Sequence, residues 1–248
     1  MGINLNNIAV VLNEPRYPEN IGAAARACRN MGVSRLMVVR PQIFDLEKIL
    51  KTATHEAADI IENMSVFDVL KDALASFQYV AGTTARTGRQ RRTTHNPRSA
   101  AGILAGFSKN NQIALVFGSE RAGLSNADLK YCQATITIPT TDFSSINLAQ
   151  SVMIVLYELH MARASKKTFQ PRLATARELE AMYSHLEESF RAVGLINRQN
   201  PEYWLRLARS LLGRVALQSR EVKLIRGLSR HIINALNRNG GDTKNRPL

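Results

Sequence analysis

Residues 8–32, IAVVLNEPRYPENIGAAARACRNMG, join a short apolar run to an alanine-rich stretch. The run IAVVL at 8–12 has the length and the β-branched content of a buried strand. The stretch at 20–32 has the spacing of a short helix, and Gly32 is a suitable residue to end it. A strand that leads directly into a helix is half of a β-α-β unit, so this segment points to an α/β fold.

The alternation of strands and helices continues through the first 162 residues. Ser65 and Asp68 have the spacing of a capping box and predict a helix over 65–77, and a longer helix is predicted over 146–164. Alternation of this kind predicts a mostly parallel sheet with helices on both faces. Further strands are predicted at 36–39, 79–84, 113–118 and 134–139.

The pattern changes near the end of this region. Residues 166–175 have the composition of a linker, and Pro171 would break a helix there. No strand is predicted beyond this point, so the chain divides into an α/β domain at 1–165 and a small all-helical extension at 176–238. The last residues, 239–248, are expected to be disordered.

Three helices are predicted in the extension. The first covers 176–194 and ends at Gly194. The second begins with Asn200 as N-cap and Pro201 at its first position. The third covers 219–238, where apolar residues recur at helical spacing.

Positive charge is concentrated in the C-terminal third of the chain. The net charge is +13, and residues 163–248 hold 17 lysines and arginines against 7 acidic residues, which is +10 of that total. A basic segment of this kind favours a polyanionic partner, nucleic acid more than a membrane. The alternative is a solvated surface without a partner.

Composition also limits the location of the protein. No apolar run approaches the roughly 18 residues that a membrane span needs, and the N-terminus lacks a basic segment followed by a long apolar one. The two cysteines, Cys28 and Cys132, form no CxxC pair. These features predict a cytoplasmic protein without a membrane partner, although a bridge between the two thiols is left open.

Several common sites have no pattern in this sequence. The first strand is not followed by GxGxxG, and no P-loop or GxSxG is present. The five histidines are scattered and form no HExxH, so no metal is expected.

Three loops at the carboxyl ends of predicted strands are the remaining candidates for a site. They are AGTTAR at 81–86, FGSERAGLS at 117–125 and SSIN at 144–147. In a parallel sheet these ends form the edge where ligands bind. Each loop alone is more often an ordinary turn or helix cap than a site. The three together, in this order, are far more specific.

These loops and the upstream helix resemble the SpoU/TrmH branch of the SPOUT methyltransferases. The first motif of that family, N-x-G-x-x-x-R, is matched by Asn20, Gly22 and Arg26. The second and third motifs resemble LVFGSERAGLS and SSINLAQSVMIVLYE, and the similarity covers residues 6–165.

The resemblance implies a fold that alternation alone does not predict. Members of this family tie the chain into a C-terminal trefoil knot, here at about 80–160, and bind S-adenosylmethionine in it. Knots are rare exceptions to the usual rules of chain connection. The resemblance also implies a homodimer that completes the active site across its interface.

The resemblance further implies the activity and the site residues. The sequences of the motifs and the helical extension are most similar to those of members that methylate the ribose 2′-hydroxyl of cytidine or uridine at nucleotide 32 of tRNA. Glu120 is carried over either as a residue that shapes its loop or as a contact to the partner subunit. The catalytic residues would be Arg26, Asn20, Ser145 and Asn147, and the cofactor would be bound by Thr83, Thr84, Ala85, Gly118, Ile138, Ser144, Ser145 and Ile146.

Arg26 can be interpreted in two ways within this resemblance. The family assigns its arginine to deprotonation of the hydroxyl, but a guanidinium stays protonated in proteins. We therefore expect Arg26 to hold a substrate phosphate and to stabilise the developing alkoxide. Without the motif, it would read as a surface arginine on an alanine-rich helix.

Two further regions are candidates for RNA contact. Residues 86–98 carry five arginines and no acid, and Arg86, Arg89, Arg91 and Arg92 are expected to contact phosphates. The aromatic residues of the extension could stack on bases, although core packing is the commoner role at helical spacing. They are Tyr183, Phe190, Tyr203 and Trp204.

Two rival functions remain at this point. One is 2′-O-methylation of another tRNA position or of ribosomal RNA. The other is an RNA-binding protein that kept the fold and lost catalysis, but Arg26 and the SSIN loop are both present.

Overall fold

The computed structural model describes residues 3–85, 94–162, 171–196 and 202–242. The chain forms two compact units, Met1–Arg172 and Leu173–Leu248, which are described separately below.

The described part of the first unit contains one seven-stranded sheet in which every pair of neighbouring strands is parallel. The spatial order is β3-β2-β1-β6-β4-β7-β5. This confirms the prediction of a parallel sheet. The strands are β1 Ile8–Asn13, β2 Arg35–Val39, β3 Ser65–Phe67, β4 Tyr79–Thr83, β5 Thr94–His95, β6 Ile113–Phe117 and β7 Ala134–Ile136.

Helices cover both faces of the sheet, as predicted. Ala9 and Val11 of β1 share one buried cluster with Leu70 and Leu74. Successive side chains of a strand point in opposite directions, so Ile8, Val10 and Leu12 face the other side of the sheet. These three residues are also buried. The helices are α1 Pro18–Met31, α2 Leu46–Ala53, α3 Ala58–Glu62, α4 Leu70–Leu74, α5 Pro97–Phe107, α6 Asn126–Leu129 and α7 Leu148–Met161.

Helix α1 has the ends that its sequence indicates. Pro18 stands in its first turn, where the missing N–H has no helical partner. Gly32 ends the helix in the left-handed conformation, with φ 77°. Gly22 lies against α2, and a Cβ atom there would overlap the Ile49 carbonyl oxygen and the Thr52 hydroxyl. The glycine of the first motif is therefore needed for the close packing of α1 on α2.

The prediction of a helix over 65–77 is wrong for the first part of this range. Residues 65–67 form β3, which pairs with Met37–Val39 of β2 at the edge of the sheet. The helix α4 begins only at Leu70 and has no side-chain cap. Pairing with β2 gives these residues the backbone hydrogen bonds of a strand, and the spacing of Ser65 and Asp68 contains no information about that pairing.

Other boundaries shift by a few residues. Strand β7 ends at Ile136 rather than at 139, and α7 covers Leu148–Met161 rather than 146–164. Helices α2 and α5 were not predicted individually, although Asp45 and Asn96 accept hydrogen bonds from the backbone as their N-caps.

The second unit is helical in its described part, as predicted. Thr175 and Glu178 form a capping box at the start of α8, and Gly194 follows that helix with φ 74°. Asn200 and Pro201 lie outside the described residues. The core of the unit contains Ala174, Met182, Tyr183, Leu217 and Val222. The helices are α8 Ala176–Ala192, α9 Tyr203–Leu212 and α10 Ser219–Asp242.

Helix α10 continues to Asp242, beyond the predicted end at 238. In the described ranges, no helix combines the length and the hydropathy that crossing a bilayer requires. Cys28 and Cys132 are both buried and unbridged.

Candidate active site

A cavity of about 280 Å³ opens at the carboxyl edge of the sheet. Its walls are the loops that follow β4, β6 and β7 and the first turn of α7. Small-molecule sites are commonly about 300–1,000 Å³, so this one suits a single compact ligand. The lining residues include Thr83, Thr84, Ala85, Gly118, Glu120, Ile138, Ser144, Ser145 and Ile146.

All eight residues predicted to bind a cofactor line this one cavity. The cavity also has lining residues that the sequence did not indicate, among them Leu148 and Ser151 in α7. Ser151 lies one helical turn after Asn147, so helical spacing was a signal that could have identified it.

Two glycines shape the loop after β6. A Cβ atom at Gly118 would overlap the backbone of Gly123 and Leu124. Gly123 has φ 64°, and its N–H donates to the Ser119 carbonyl oxygen over 2.8 Å. The loop therefore folds back on itself, and larger residues at either glycine would open it.

The cavity combines apolar walls with hydroxyl groups. Ile136, Ile138 and Ile146 supply apolar surface, whereas Ser144 and Ser145 supply hydroxyls. Apolar walls accept a flat aromatic ring, and hydroxyls and loop backbone groups bind its polar substituents. This donor set fits a nucleoside-like ligand.

Glu120 connects this loop to the start of α1 within the same chain. Its carboxylate accepts hydrogen bonds from the backbone N–H of Arg16 at 2.8 Å and of Tyr17 at 3.4 Å. It also accepts one from the Asn20 amide at 2.6 Å. A negative group at a helix N-terminus is stabilising, and these bonds use N–H groups that lack helical partners. Within the chain, Glu120 therefore holds the loop after β6 against the start of α1.

Asn20 extends this network to the third loop. Its Oδ1 accepts a hydrogen bond from Nδ2 of Asn147 at 3.0 Å. Asn147 is the N-cap of α7, and its Oδ1 accepts from the N–H groups of Ala149 and Gln150. The structure thus joins two of the four residues predicted to be catalytic, Asn20 and Asn147, and a third, Ser145, lines the cavity two positions before Asn147.

Arg26 is the fourth predicted catalytic residue, and it lies apart from the cavity of its own chain. Its side chain is exposed, and it makes no ion pair with any residue that the structure describes. It lies six residues after Asn20, which is about 9 Å along the helix axis. Within one chain, Arg26 therefore does not contribute to the wall of the cavity.

The structure describes only one of the five arginines at 86–98. Arg86, Arg89, Arg91 and Arg92 lie outside the described residues. Arg98, the fifth arginine of that stretch, belongs to α5 and forms two hydrogen bonds with Glu158, so it is not a loop cation.

The aromatic residues of the extension divide between core and surface. Tyr183 is buried beneath the Arg209 guanidinium, whose carbon is 4.1 Å from the ring centroid, and so it cannot stack on a base. Phe190 is half-buried. Tyr203 and Trp204 are exposed and contact each other edge to face, with ring centroids 5.4 Å apart.

The chain belongs to the SpoU methylase family, because a family match covers all seven strands of the described sheet and the three loops of the cavity. Residues 7–157 match the SpoU rRNA Methylase family. Residues 177–241 match a second family, the C-terminal domain of the tRNA methyltransferase TrmJ.

Individual relatives agree with both matches. The chain is 36% identical over 239 residues to the tRNA (cytidine/uridine/adenosine-2′-O-)-methyltransferase TrmJ of Pseudomonas aeruginosa, covering 90% of this chain and 93% of that one. It is 32% identical to the tRNA (cytidine/uridine-2′-O-)-methyltransferase TrmJ of Escherichia coli K12, covering 90% and 94%. The crystal structure of TrmJ from Z. mobilis ZM4 superposes with a TM-score of 0.79 at 31% identity, covering 90% and 98%.

Proposed function

We propose that this protein transfers a methyl group from S-adenosylmethionine to a ribose 2′-hydroxyl of tRNA, at nucleotide 32 of the anticodon loop. The observation that carries the proposal is the joining of three motifs at one cavity. Glu120 from the second motif bonds Asn20 from the first, and Asn20 bonds Asn147 from the third. The TrmJ relatives support tRNA as the substrate, and a tRNA substrate accords with a cytoplasmic location.

The residues of the cavity fit the proposed cofactor. The isoleucine walls suit its adenine ring, and the serine and threonine hydroxyls suit its ribose and amino-acid groups. S-adenosylmethionine, when bound, supplies a methyl group on a sulfonium cation that a nucleophilic oxygen can displace directly. By the family resemblance the surrounding chain forms a trefoil knot, which stays a prediction.

The chain's own residues contribute mainly by orientation. Asn147 and Asn20 fix the starts of α7 and α1 at the rim of the cavity, and Ser145 presents its hydroxyl there. A reaction between two held partners gains from their alignment rather than from a strong base. Arg26, as a permanent cation, holds a phosphate of the substrate and stabilises negative charge on the 2′-oxygen.

A second copy of the chain accounts for the position of Arg26. In one copy its guanidinium is exposed and does not line the cavity. Helix α7 packs against α1 and also carries an exposed apolar stripe of Ile154, Tyr157 and Met161. Burial of that stripe in a homodimer would place one copy's α1 near the other copy's cavity. Light scattering of the parent protein and of Tyr157→Asp tests the dimer.

The experiment for the activity is transfer of a labelled methyl group to bulk unmodified tRNA, followed by mapping of the methylated nucleotide. Arg26→Ala should abolish transfer, whereas Arg29→Ala should leave it near the parent rate. Arg29 is a matched control because it lies on the same helix, is exposed and pairs with Asp59.

Each outcome has a defined meaning. Methylation at nucleotide 32 that is lost in Arg26→Ala supports the whole proposal. Methylation at another nucleotide, or of ribosomal RNA instead, would keep the reaction and change the substrate. A parent protein that shows no cofactor binding by calorimetry, with or without tRNA, would favour an RNA-binding protein without catalysis.

A further inference from the structure

Arg16 and Tyr17 are two exposed residues between two buried prolines. Pro15 and Pro18 are buried, whereas Arg16 is exposed and the relative accessibility of Tyr17 is 46%. The segment connects β1 to α1 at the carboxyl edge of the sheet. The segment therefore presents an exposed aromatic ring at the edge of the sheet where the cavity opens.

The backbone of this segment is held from several directions. Proline fixes its own φ, and Tyr17 before Pro18 has the extended conformation that this position favours, with φ −105° and ψ 123°. The Pro15 carbonyl oxygen accepts a hydrogen bond from the Gln42 N–H at 3.0 Å. The N–H groups of Arg16 and Tyr17 both donate to Glu120. The two side chains therefore stand on a backbone that is fixed before any ligand arrives.

The two side chains also form one chemical unit. The guanidinium carbon of Arg16 is 5.3 Å from the centroid of the Tyr17 ring. Within the ranges that the structure describes, the Arg16 side chain has no ion pair. The neighbouring carboxylate of Glu14 is paired with Arg40 at 2.8 Å. The guanidinium lies over one face of the Tyr17 ring, but this ring is 46% exposed, unlike the buried ring of Tyr183. A base could therefore stack on the opposite face, and an aromatic ring with an adjacent cation matches an unpaired nucleotide, which offers a flat base and a phosphate.

The unit lies at the rim of the cavity. Glu120, which accepts the Tyr17 N–H, is itself a lining residue. Asn20, one turn into α1, bonds the same carboxylate. A nucleotide whose ribose enters the cavity would therefore pass close to Tyr17.

We propose that Arg16 and Tyr17 form a nucleotide-binding platform at the entrance of the active site. The Tyr17 ring stacks on an unpaired base of the tRNA loop, either the methylated nucleotide or its neighbour, and Arg16 binds the adjoining phosphate. This inference rests on the proposed function, because the platform would bind the tRNA substrate of the proposed reaction.

The first test is steady-state methylation of tRNA by Tyr17→Leu, Tyr17→Phe and the parent. Leucine keeps apolar bulk but removes the aromatic face, so kcat/KM for tRNA should fall about tenfold or more. Phenylalanine keeps the face and should stay within about twofold of the parent. The dissociation constant for S-adenosylmethionine should be unchanged in all three proteins, which separates RNA binding from damage to the cavity.

Arg16→Ala should weaken tRNA binding and lower its salt dependence by about one phosphate contact. Lys109→Ala is the matched control, since it removes one positive charge just before the start of β6, at the opposite edge of the sheet. It should leave both quantities near the parent values.

The second test observes stacking directly. Trp204 is the single tryptophan of the chain, so Tyr17→Trp combined with Trp204→Phe leaves one reporter at position 17. Its fluorescence should be quenched when unmodified tRNA is added. A parent that methylates tRNA while Tyr17→Leu keeps full kcat/KM, or a reporter that does not respond, would overturn the platform. A parent that does not methylate tRNA would instead refute the proposed function.

Discussion

Asn147 donates its side-chain amide to the side-chain carbonyl oxygen of Asn20 over 3.0 Å, across 127 positions of sequence. Asn147 also caps α7 with its Oδ1, and the Asn20 amide donates a hydrogen bond to Glu120. One chain of hydrogen bonds therefore fixes the relative positions of two helix starts and of the loop after β6. A change at any member should move the others.

Substitutions at Asn147 should separate capping from this connection. In Asn147→Asp a carboxylate oxygen still caps α7, so the free energy of unfolding should stay near the parent value. The carboxylate cannot donate to Asn20 and repels its carbonyl oxygen, so methyl transfer should fall about tenfold or more. Asn147→Ala should lose activity and, in addition, about 1 kcal/mol of stability. Thermal melts and transfer rates on the same preparations check both, and full activity in Asn147→Asp would contradict the role of the connection.

Glu120→Gln should weaken the start of α1. A neutral amide accepts the hydrogen bonds of Arg16, Tyr17 and Asn20 less strongly than a carboxylate, and we expect a loss of about 1 kcal/mol because the site is partly exposed. Cofactor affinity, measured by calorimetry, should fall as well because Glu120 lines the cavity. Glu19→Gln removes an exposed charge from the first turn of the same helix, so it should cost only about 0.3–1 kcal/mol of stability and leave cofactor affinity unchanged. Unaltered cofactor affinity in Glu120→Gln would remove this residue from the site.

Gly22→Ala should destabilise the first unit although alanine is the better helix former. The added Cβ would overlap the backbone and side chain of α2, which costs about 1–3 kcal/mol, more than the helix propensity gained. Gly102→Ala is the matched control in α5, because a Cβ there meets no atom within 4 Å. That variant should be as stable as the parent or more stable by up to about 1 kcal/mol. Urea unfolding of both variants decides the matter, and equal effects would show that packing on α2 is not tight.

Arg209→Ala should destabilise the second unit. Arg209 forms two hydrogen bonds to Glu180, at 2.6 and 2.8 Å, and both side chains are only 16% exposed. Removing one partner leaves a largely buried charge, so we expect a loss of about 2–3 kcal/mol. The exposed Arg206 in the same helix is the control, and Arg206→Ala should have almost no effect. Trp204 fluorescence during urea unfolding reports on this unit, and a small effect at Arg209 would show that the pair is dispensable.

The Cys28 thiol should be unreactive in the folded protein. Burial raises its pKa from an ordinary value of 9.0 to about 12. Iodoacetamide at pH 8.5 should therefore label Cys28 only after unfolding, as mass spectrometry of the peptide can show. The unfolded chain releases this proton near pH 9 and the folded chain near pH 12, so stability should fall as the pH rises between these values. Cys28→Ala should lack that part of the decrease, and rapid native labelling would contradict the buried position.

Local patterns were sufficient for much of the first unit. The run at 8–12 and the stretch at 20–32 form β1 and α1 with Gly32 at the end, because apolar spacing and a terminal glycine act over one or two helical turns. They did not predict β3, since Ser65–Phe67 is a strand only through its pairing with β2. The capping-box spacing of Ser65 and Asp68 was a local signal that a long-range pairing overrode.

The sequence by itself determined the motifs and their order at the strand ends, because the ends of parallel strands meet at one edge whatever the details of packing. The family resemblance then supplied eight of the residues that line the cavity, although not Leu148 or Ser151. Only the tertiary structure decided that Glu120 bonds the start of α1, that Asn20 bonds Asn147, and that Arg26 lies away from the cavity of its own chain. The two hydrogen-bonded connections join residues more than 100 positions apart, and no local pattern encodes the distance between such residues.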